Sequence, residues 1–176
     1  MVWEKNGALL VPGGVQMHSK LSADLIRGGK VVSKWELGSG LVTTQGVTMI
    51  AQAMANTNPS YIALLNYHDS STGTTAAAVG DTALTTAPAA TVGSRPSGTQ
   101  TASAVSTNYL YQTVGTQSFT GGLAITEWGL FRLSRTAGNG PPGSDTMLDH
   151  KVFGAINVVS GDSIAYTYQL TVTAGG

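Results

Sequence analysis

Apolar residues recur along the chain with two different periods. From Ser163 to Thr173 the alternation is strict: Ile164, Tyr166, Tyr168, Leu170 and Val172 are apolar, and the residues between them are small or polar. A period of two predicts a strand with one face in a core and the other in water. Lys151–Val159 is apolar on both faces, and Ser160-Gly161-Asp162 between the two runs reads as a hairpin turn, so these strands are expected to pair antiparallel. Leu123–Leu133 is also apolar on both faces, with Leu123, Ile125, Phe131 and Leu133 on one side and Trp128 and Leu130 on the other, as a central strand would be. Tyr109–Phe119 precedes it across Thr120-Gly121-Gly122, and a Gly/Pro-rich loop over Thr136–Asp145 follows. Tyr61–Leu65 is a further strand candidate. Ser70–Gly80, with nothing large to bury, reads as a mobile surface loop, and Thr85–Ser106 is expected to hold one or two strands.

Two stretches carry the helical period. In Thr44–Asn56, Val47, Ile50, Ala51 and Met54 fall at i, i+3, i+4 and i+7 behind a capping Thr43 or Thr44. A shorter candidate covers Leu21–Arg27, with Leu21 and Leu25 on one face, Ser19 or Ser22 as cap and Gly28-Gly29 as terminator. Short strands between Gly/Pro turns, with one substantial helix, define an all-β fold. The expectation is an antiparallel β-sandwich, jelly-roll-like, with one short helix and an extended N-terminal arm.

Charge sharpens the division. Residues 1–36 carry eight of the 18 charged side chains, which places a boundary near Leu37: an arm over 1–36 and a sandwich over 37–176. The apolar residues of that arm, Trp3, Leu9, Leu10, Val11, Leu21, Leu25, Ile26 and Trp35, need a surface to pack on, and aromatic anchors are common at interface centres, so they are read as partner-binding. Over the 176 residues, nine Lys and Arg balance nine Asp and Glu, and only 10% are charged. A nucleic-acid partner would need a basic stripe to neutralise phosphates, so none is expected. The absence of Cys excludes disulfides and thiol chemistry. No signal peptide or 18-residue apolar run is read, which implies synthesis in a cytoplasm and no membrane partner.

The candidate chemistry is sparse. His18, His68 and His150 lack a second ligand at metal-binding spacing, so no metal and no cofactor is expected. Asp149-His150-Lys151 reads as a solvated strand start and His68-Asp69 as exposed. Hydrolase, phosphate-loop and zinc-protease motifs do not occur, and only six carboxylates are available after residue 36, so no catalytic residue is assigned. Glu127 is the one charge that reads as buried. Its expected partners are Arg132, Arg95 or backbone N–H groups, because an unpaired buried carboxylate costs several kcal/mol or stays protonated.

The order of short motifs carries more than any one of them. A helix after Leu41-Val42-Thr43-Thr44-Gln45-Gly46 is followed by Tyr61-Ile62-Ala63-Leu64, Asp81-Thr82-Ala83-Leu84, Ile125-Thr126-Glu127-Trp128-Gly129-Leu130-Phe131, Met147-Leu148-Asp149-His150-Lys151-Val152-Phe153 and Gly161-Asp162-Ser163-Ile164 with its alternating strand. This arrangement, from Leu41 to Thr173, resembles tailed-bacteriophage virion structural proteins, among them tail-fibre attachment domains. The resemblance implies assembly rather than catalysis and supplies no active-site residues. A sandwich with an arm and no fibre shaft looks like a capsid decoration, or cement, protein: a symmetric homo-oligomer, a trimer, on the virion's capsid surface, made in the host cytoplasm, with the major capsid protein as partner. The alternatives are a tail, neck or fibre-adaptor protein and, more distantly, a carbohydrate-binding sandwich with Tyr109, Tyr111, Trp128, Tyr166 and Tyr168 as platforms.

Overall fold

The computed structural model describes residues 2–3, 9–10, 15–105, 108–135 and 147–174. Strands β1 (Val2–Trp3) and β2 (Leu9–Leu10) pair with each other. Next come β3 (Val15–Arg27), β4 (Lys30–Gly38), β5 (Leu41–Val42), helices α1 (Thr44–Met54) and α2 (Ser60–Ala63), and β6 (Tyr67–Ser71). The remaining strands are β7 (Thr99–Val105), β8 (Asn108–Ser118), β9 (Leu123–Phe131), β10 (Met147–Val158) and β11 (Ser163–Ala174). They build two antiparallel sheets, β4-β3-β11-β8-β7 and β5-β10-β9-β6, and the fold is an all-β sandwich.

The alternating run at the C-terminal end is the middle of the larger sheet. β11 pairs with β3 from Ser163↔Ile26 to Ala174↔Val15, and with β8 from Ser163↔Ser118 to Thr173↔Asn108. Its Ile164, Tyr166 and Tyr168 point into the core with Leu21, Ala23 and Leu25 of β3, and meet Trp128, Leu130, Leu148 and Ile156 of the smaller sheet. Trp128 stacks on Tyr168 with ring centroids 5.6 Å apart. β9 is central in its sheet, between β10 and β6.

Several expectations are corrected. β10 and β11 lie in different sheets, so Ser160-Gly161-Asp162 is a corner and not a hairpin. Both edges of β11 are already taken, and the corner is pinned by Asp162, which accepts from Arg27 Nε at 2.8 Å and from Val159 N at 2.9 Å. Leu21–Arg27 is strand, not helix: Leu21, Ala23 and Leu25 alternate onto the core, a period that β11 satisfies along its whole length, and Gly28-Gly29, both at positive φ, turn the chain into β4. The boundary near Leu37 does not divide the fold between residues 15 and 38, because β3 and β4 are strands of the larger sheet. Of the residues read as partner-binding, Leu21 and Leu25 are core, and Ile26 and Trp35 are half-buried, with Trp35 packed on that core. For Trp3, Leu9 and Leu10 only the backbone pairing is described, and Val11 and the Thr136–Asp145 loop lie outside the described residues. Residues 60–63 are helix α2 and not a strand, and Ser70 and Ser71 are buried in β6 and not part of a surface loop.

Helix α1 begins where expected, with Thr43 as N-cap: its Oγ1 accepts from Gly46 N at 3.0 Å. The buried face is not the expected one. Gly46 and Met49 pack inward, with Gly46 so close that a Cβ there would lie 2.6 Å from the Leu148 carbonyl oxygen, while Val47 is 58% and Met54 81% exposed.

Candidate functional site

Two features stand out, a buried polar network and an apolar groove. Trp128 and Leu130 face the core, so Glu127 and Gly129 lie on the opposite face of the smaller sheet. The long connection from β6 to β7 crosses over that face and buries Glu127 completely. His150 of β10 sits beside it, with Nε2 2.8 Å from Glu127 Oε1 and Nδ1 2.7 Å from Oδ2 of Asp81, a residue of the covering connection. Glu127 also accepts from Ser71 Oγ, from Thr85 N at 2.6 Å and from Thr85 Oγ1 at 2.8 Å.

Burial works to raise the Glu127 pKa, but the bonds from His150, Ser71 and Thr85 outweigh it and hold the group at about 2. For His150, burial works to lower the pKa, and the two carboxylates override it, so the net shift is upward. A carboxylate at each ring nitrogen calls for a proton on both, and an imidazolium supplies them. His150 thus clamps the covering connection to the sheet. Ser71 donates to Glu127 rather than to His150, so the four groups do not form a nucleophile–base relay. Among the described residues no cluster of three His, Cys, Asp or Glu is arranged to hold a metal ion.

A second buried carboxylate, Asp69 of β6, binds Arg95 Nε at 3.0 Å and Arg135 through Nε and Nη2, both at 2.7 Å, and accepts from Gln117 Nε2 at 2.9 Å. The Arg95 guanidinium also stacks on the Phe131 ring, 3.7 Å from its centroid. This network ties β6, β8 and residues 93–95 and 135 together without reaching solvent.

Burial of Glu127 agrees with the sequence reading, and of the expected partners the backbone N–H groups of Thr85 and Thr86 bind it, while its side-chain partners are His150, Ser71 and Thr85 in place of Arg132 or Arg95. His68, Asp69, Asp149 and His150, read as exposed or solvated, are all buried. The available signal was scarcity: in a chain with so few charges, an Asp, His or Glu embedded among apolar strand residues must be paired within the fold. His68 is wedged between Trp128 and Tyr166, and burial lowers its pKa to about 3. Trp128, Tyr166 and Tyr168 are core residues, and of the five aromatic candidates only Tyr109 is largely exposed.

The groove runs between α1 and the end of the larger sheet where β3 begins and β11 ends. Met17, Val47, Ile50, Leu148, Leu170 and Val172 line it, with Met17 45% exposed. Among the described residues no charged side chain lines it. No protein-family model, curated protein or solved structure matches the chain.

Proposed function

We propose that this protein is a non-enzymatic structural component of a tailed-bacteriophage virion, a cement protein that binds the outer capsid and bridges neighbouring major capsid proteins. The observation that carries the reading is the apolar stripe of α1, left exposed beside a charge-free groove: surface of this kind marks association with another protein. The ordered motifs from Leu41 to Thr173 supply the virion context. The titratable groups support it as well. Glu127 and His150 spend their hydrogen-bonding capacity on each other and on the covering connection, which suits a rigid scaffold better than acid–base chemistry.

A binder of this kind stabilises an assembled shell by mass action, because it binds the shell and not its dissociated subunits. Symmetric oligomers multiply the effect, since once one subunit has docked the others bind at a high effective concentration and avidity exceeds the single-site affinity by roughly 10²–10⁴. Particles lacking the protein are therefore expected to assemble with normal geometry but to release DNA at lower temperature, and purified protein added back restores resistance. Particles that are equally heat-resistant without it, yet fail to attach to cells, would instead favour a tail, neck or fibre adaptor, as would a dozen or fewer copies per virion. The carbohydrate-binding alternative loses its footing because Trp128, Tyr166 and Tyr168 are buried.

A further inference from the structure

We propose that residues 74–83 are a lid over β10, latched shut by the proton on His150 and released when that proton is lost.

The feet of the lid define it. Gly73 and Thr85, at its two ends, both stand on β9: the Gly73 carbonyl accepts from Thr126 Oγ1 at 2.7 Å, and Thr85 donates to Glu127 from N at 2.6 Å and from Oγ1 at 2.8 Å. Leu84, beside the second foot, is buried against Phe131 and Met147. A surface loop whose ends meet is an Ω-loop, a unit that can move without its scaffold. Between the feet Thr74, Thr75, Ala76, Ala78 and Val79 are exposed, so burial does little to hold this stretch down. Among the described residues, two hydrogen bonds tie its middle to the sandwich. Val79 O accepts from Thr44 N at 2.7 Å, and Asp81 Oδ2 from His150 Nδ1 at 2.7 Å. The same Asp81 oxygen accepts from Ala78 N at 2.7 Å, so the tip of the loop is folded around the latch.

The Asp81 bond depends on a proton. His150 faces a carboxylate at each ring nitrogen, and deprotonation leaves a lone pair against one of them. Glu127 cannot withdraw, because it is fully buried and held by Ser71 and Thr85, so the remaining N–H stays with it. Asp81 can: its side chain is 20% exposed and rides on the loop. The other charged neighbours of His150 do not stand in for it. Asp149 and Lys151 flank it on β10, but their pairing with Leu130 and Trp128 turns them to the opposite face, and Lys151 Nζ donates to Ser39 O at 2.7 Å. The two carboxylates outweigh burial and raise the His150 pKa, so the shut state holds the proton more tightly than the open one. The open population therefore rises with pH, by at most about tenfold per unit, and levels off once the ring is neutral.

The movement opens a cleft. Thr74, Ala76 and Ala77 of the lid form one wall of a hollow of about 410 Å³, and residues 39–41 with His150, Lys151 and Val152 form the other. Opening widens it and brings His150, fully buried when the lid is shut, to solvent.

Residue-resolved hydrogen–deuterium exchange of the full chain from pH 6 to pH 10, corrected for the intrinsic rate, tests this. Glu127, held at about 2, stays ionised throughout. The Thr44 amide, capped by the lid carbonyl of Val79, is the reporter. It should exchange about tenfold or more ahead of the amides of β11 at every pH, as a local opening does. Its protection should fall as NMR shows the His150 ring losing its proton. Asp81→Asn, whose amide can donate to the neutral ring, is expected to flatten that pH dependence. Thr44 exchange in step with β11, protection that ignores the His150 titration, or an Asp81→Asn variant with the wild-type pH profile would overturn the proposal.

Discussion

The carboxylate of Asp149 occupies the space that a side chain at Gly40 would need: a Cβ at residue 40 would lie 1.8 Å from Asp149 Oδ1 and 2.7 Å from its Cγ. Asp149 pairs with Val42 of β5, so this close approach is where the short edge strand meets β10. Gly40→Ala must displace either the strand or the carboxylate, and overpacking of that kind costs about 1–3 kcal/mol. Adding Asp149→Ala should recover part of the loss, a non-additivity that urea denaturation of the two single variants and the double variant would measure.

Asp149 also gives stability a pH dependence. Burial raises its pKa to about 6, with Ser19 and Tyr168 only partly offsetting it, so the folded protein holds this proton more tightly than the unfolded chain does. Its favourable contribution is complete below about pH 4 and is lost as pH rises through 6, a swing of about 3 kcal/mol. Asp149→Asn removes that dependence. Relative to wild type, the variant should gain stability between pH 4 and pH 7, and parallel denaturation curves across that range would contradict the shift.

Glu127 and His150 act in opposite windows. With its pKa held at about 2, Glu127 contributes stability above the ordinary carboxylate value of 4.5, and this is lost as pH falls towards 2. His150, shifted upward, contributes below its ordinary value of 6.5 and loses that contribution as pH rises through the shifted one. Together with Asp149, they place the stability maximum in mild acid. Thermal melts from pH 3 to pH 9 would locate it, and a maximum above pH 8 would contradict the clamp.

Breaking the clamp should be expensive. Glu127→Ala leaves His150 buried with Asp81 as its remaining carboxylate and strips Thr85 N of its acceptor, and removing one partner of a buried pair costs about 3–5 kcal/mol. Because the connection from β6 to β7 is held by Glu127 and Asp81, its amides should exchange with deuterium sooner than those of β11 in this variant. Uniform acceleration across both segments would mean that the network serves the whole fold alike.

The strands with clear alternation were legible in the sequence because their period is set by burial alone. Ile164, Tyr166 and Tyr168 face the core as the pattern requires, and the central placement of β9 followed from apolar residues on both faces. Pairing was not legible. Ser160-Gly161-Asp162 has the composition of a hairpin, but a corner between sheets needs the same residue types, and the pairing of β11 with the distant β3 and β8 decides between them. Leu21 and Leu25 fit a helix by their spacing of four and a strand equally well, and β11 decides between the two. In the polar network, Glu127 was visible as a charge inside an apolar run. Its partner His150 was not, because the covering connection that buries it is mostly Ser, Thr, Gly and Ala, residues that mark a loop without fixing where it lies.

The placement of β11 between β3 and β8 has a consequence in time. The β3–β4 hairpin leaves the ribosome early, but the strand that covers its inner edge, at Ser163↔Ile26, is made ~140 residues later. At roughly 5–20 residues per second, that is a wait of about 7–28 s. Throughout it, the apolar row Leu21, Ala23 and Leu25 and a full strand edge stand open to the cell. Nascent chains stalled before β11 should therefore bind chaperones through residues 15–38 and aggregate when these are depleted, whereas chains that have released β11 should not.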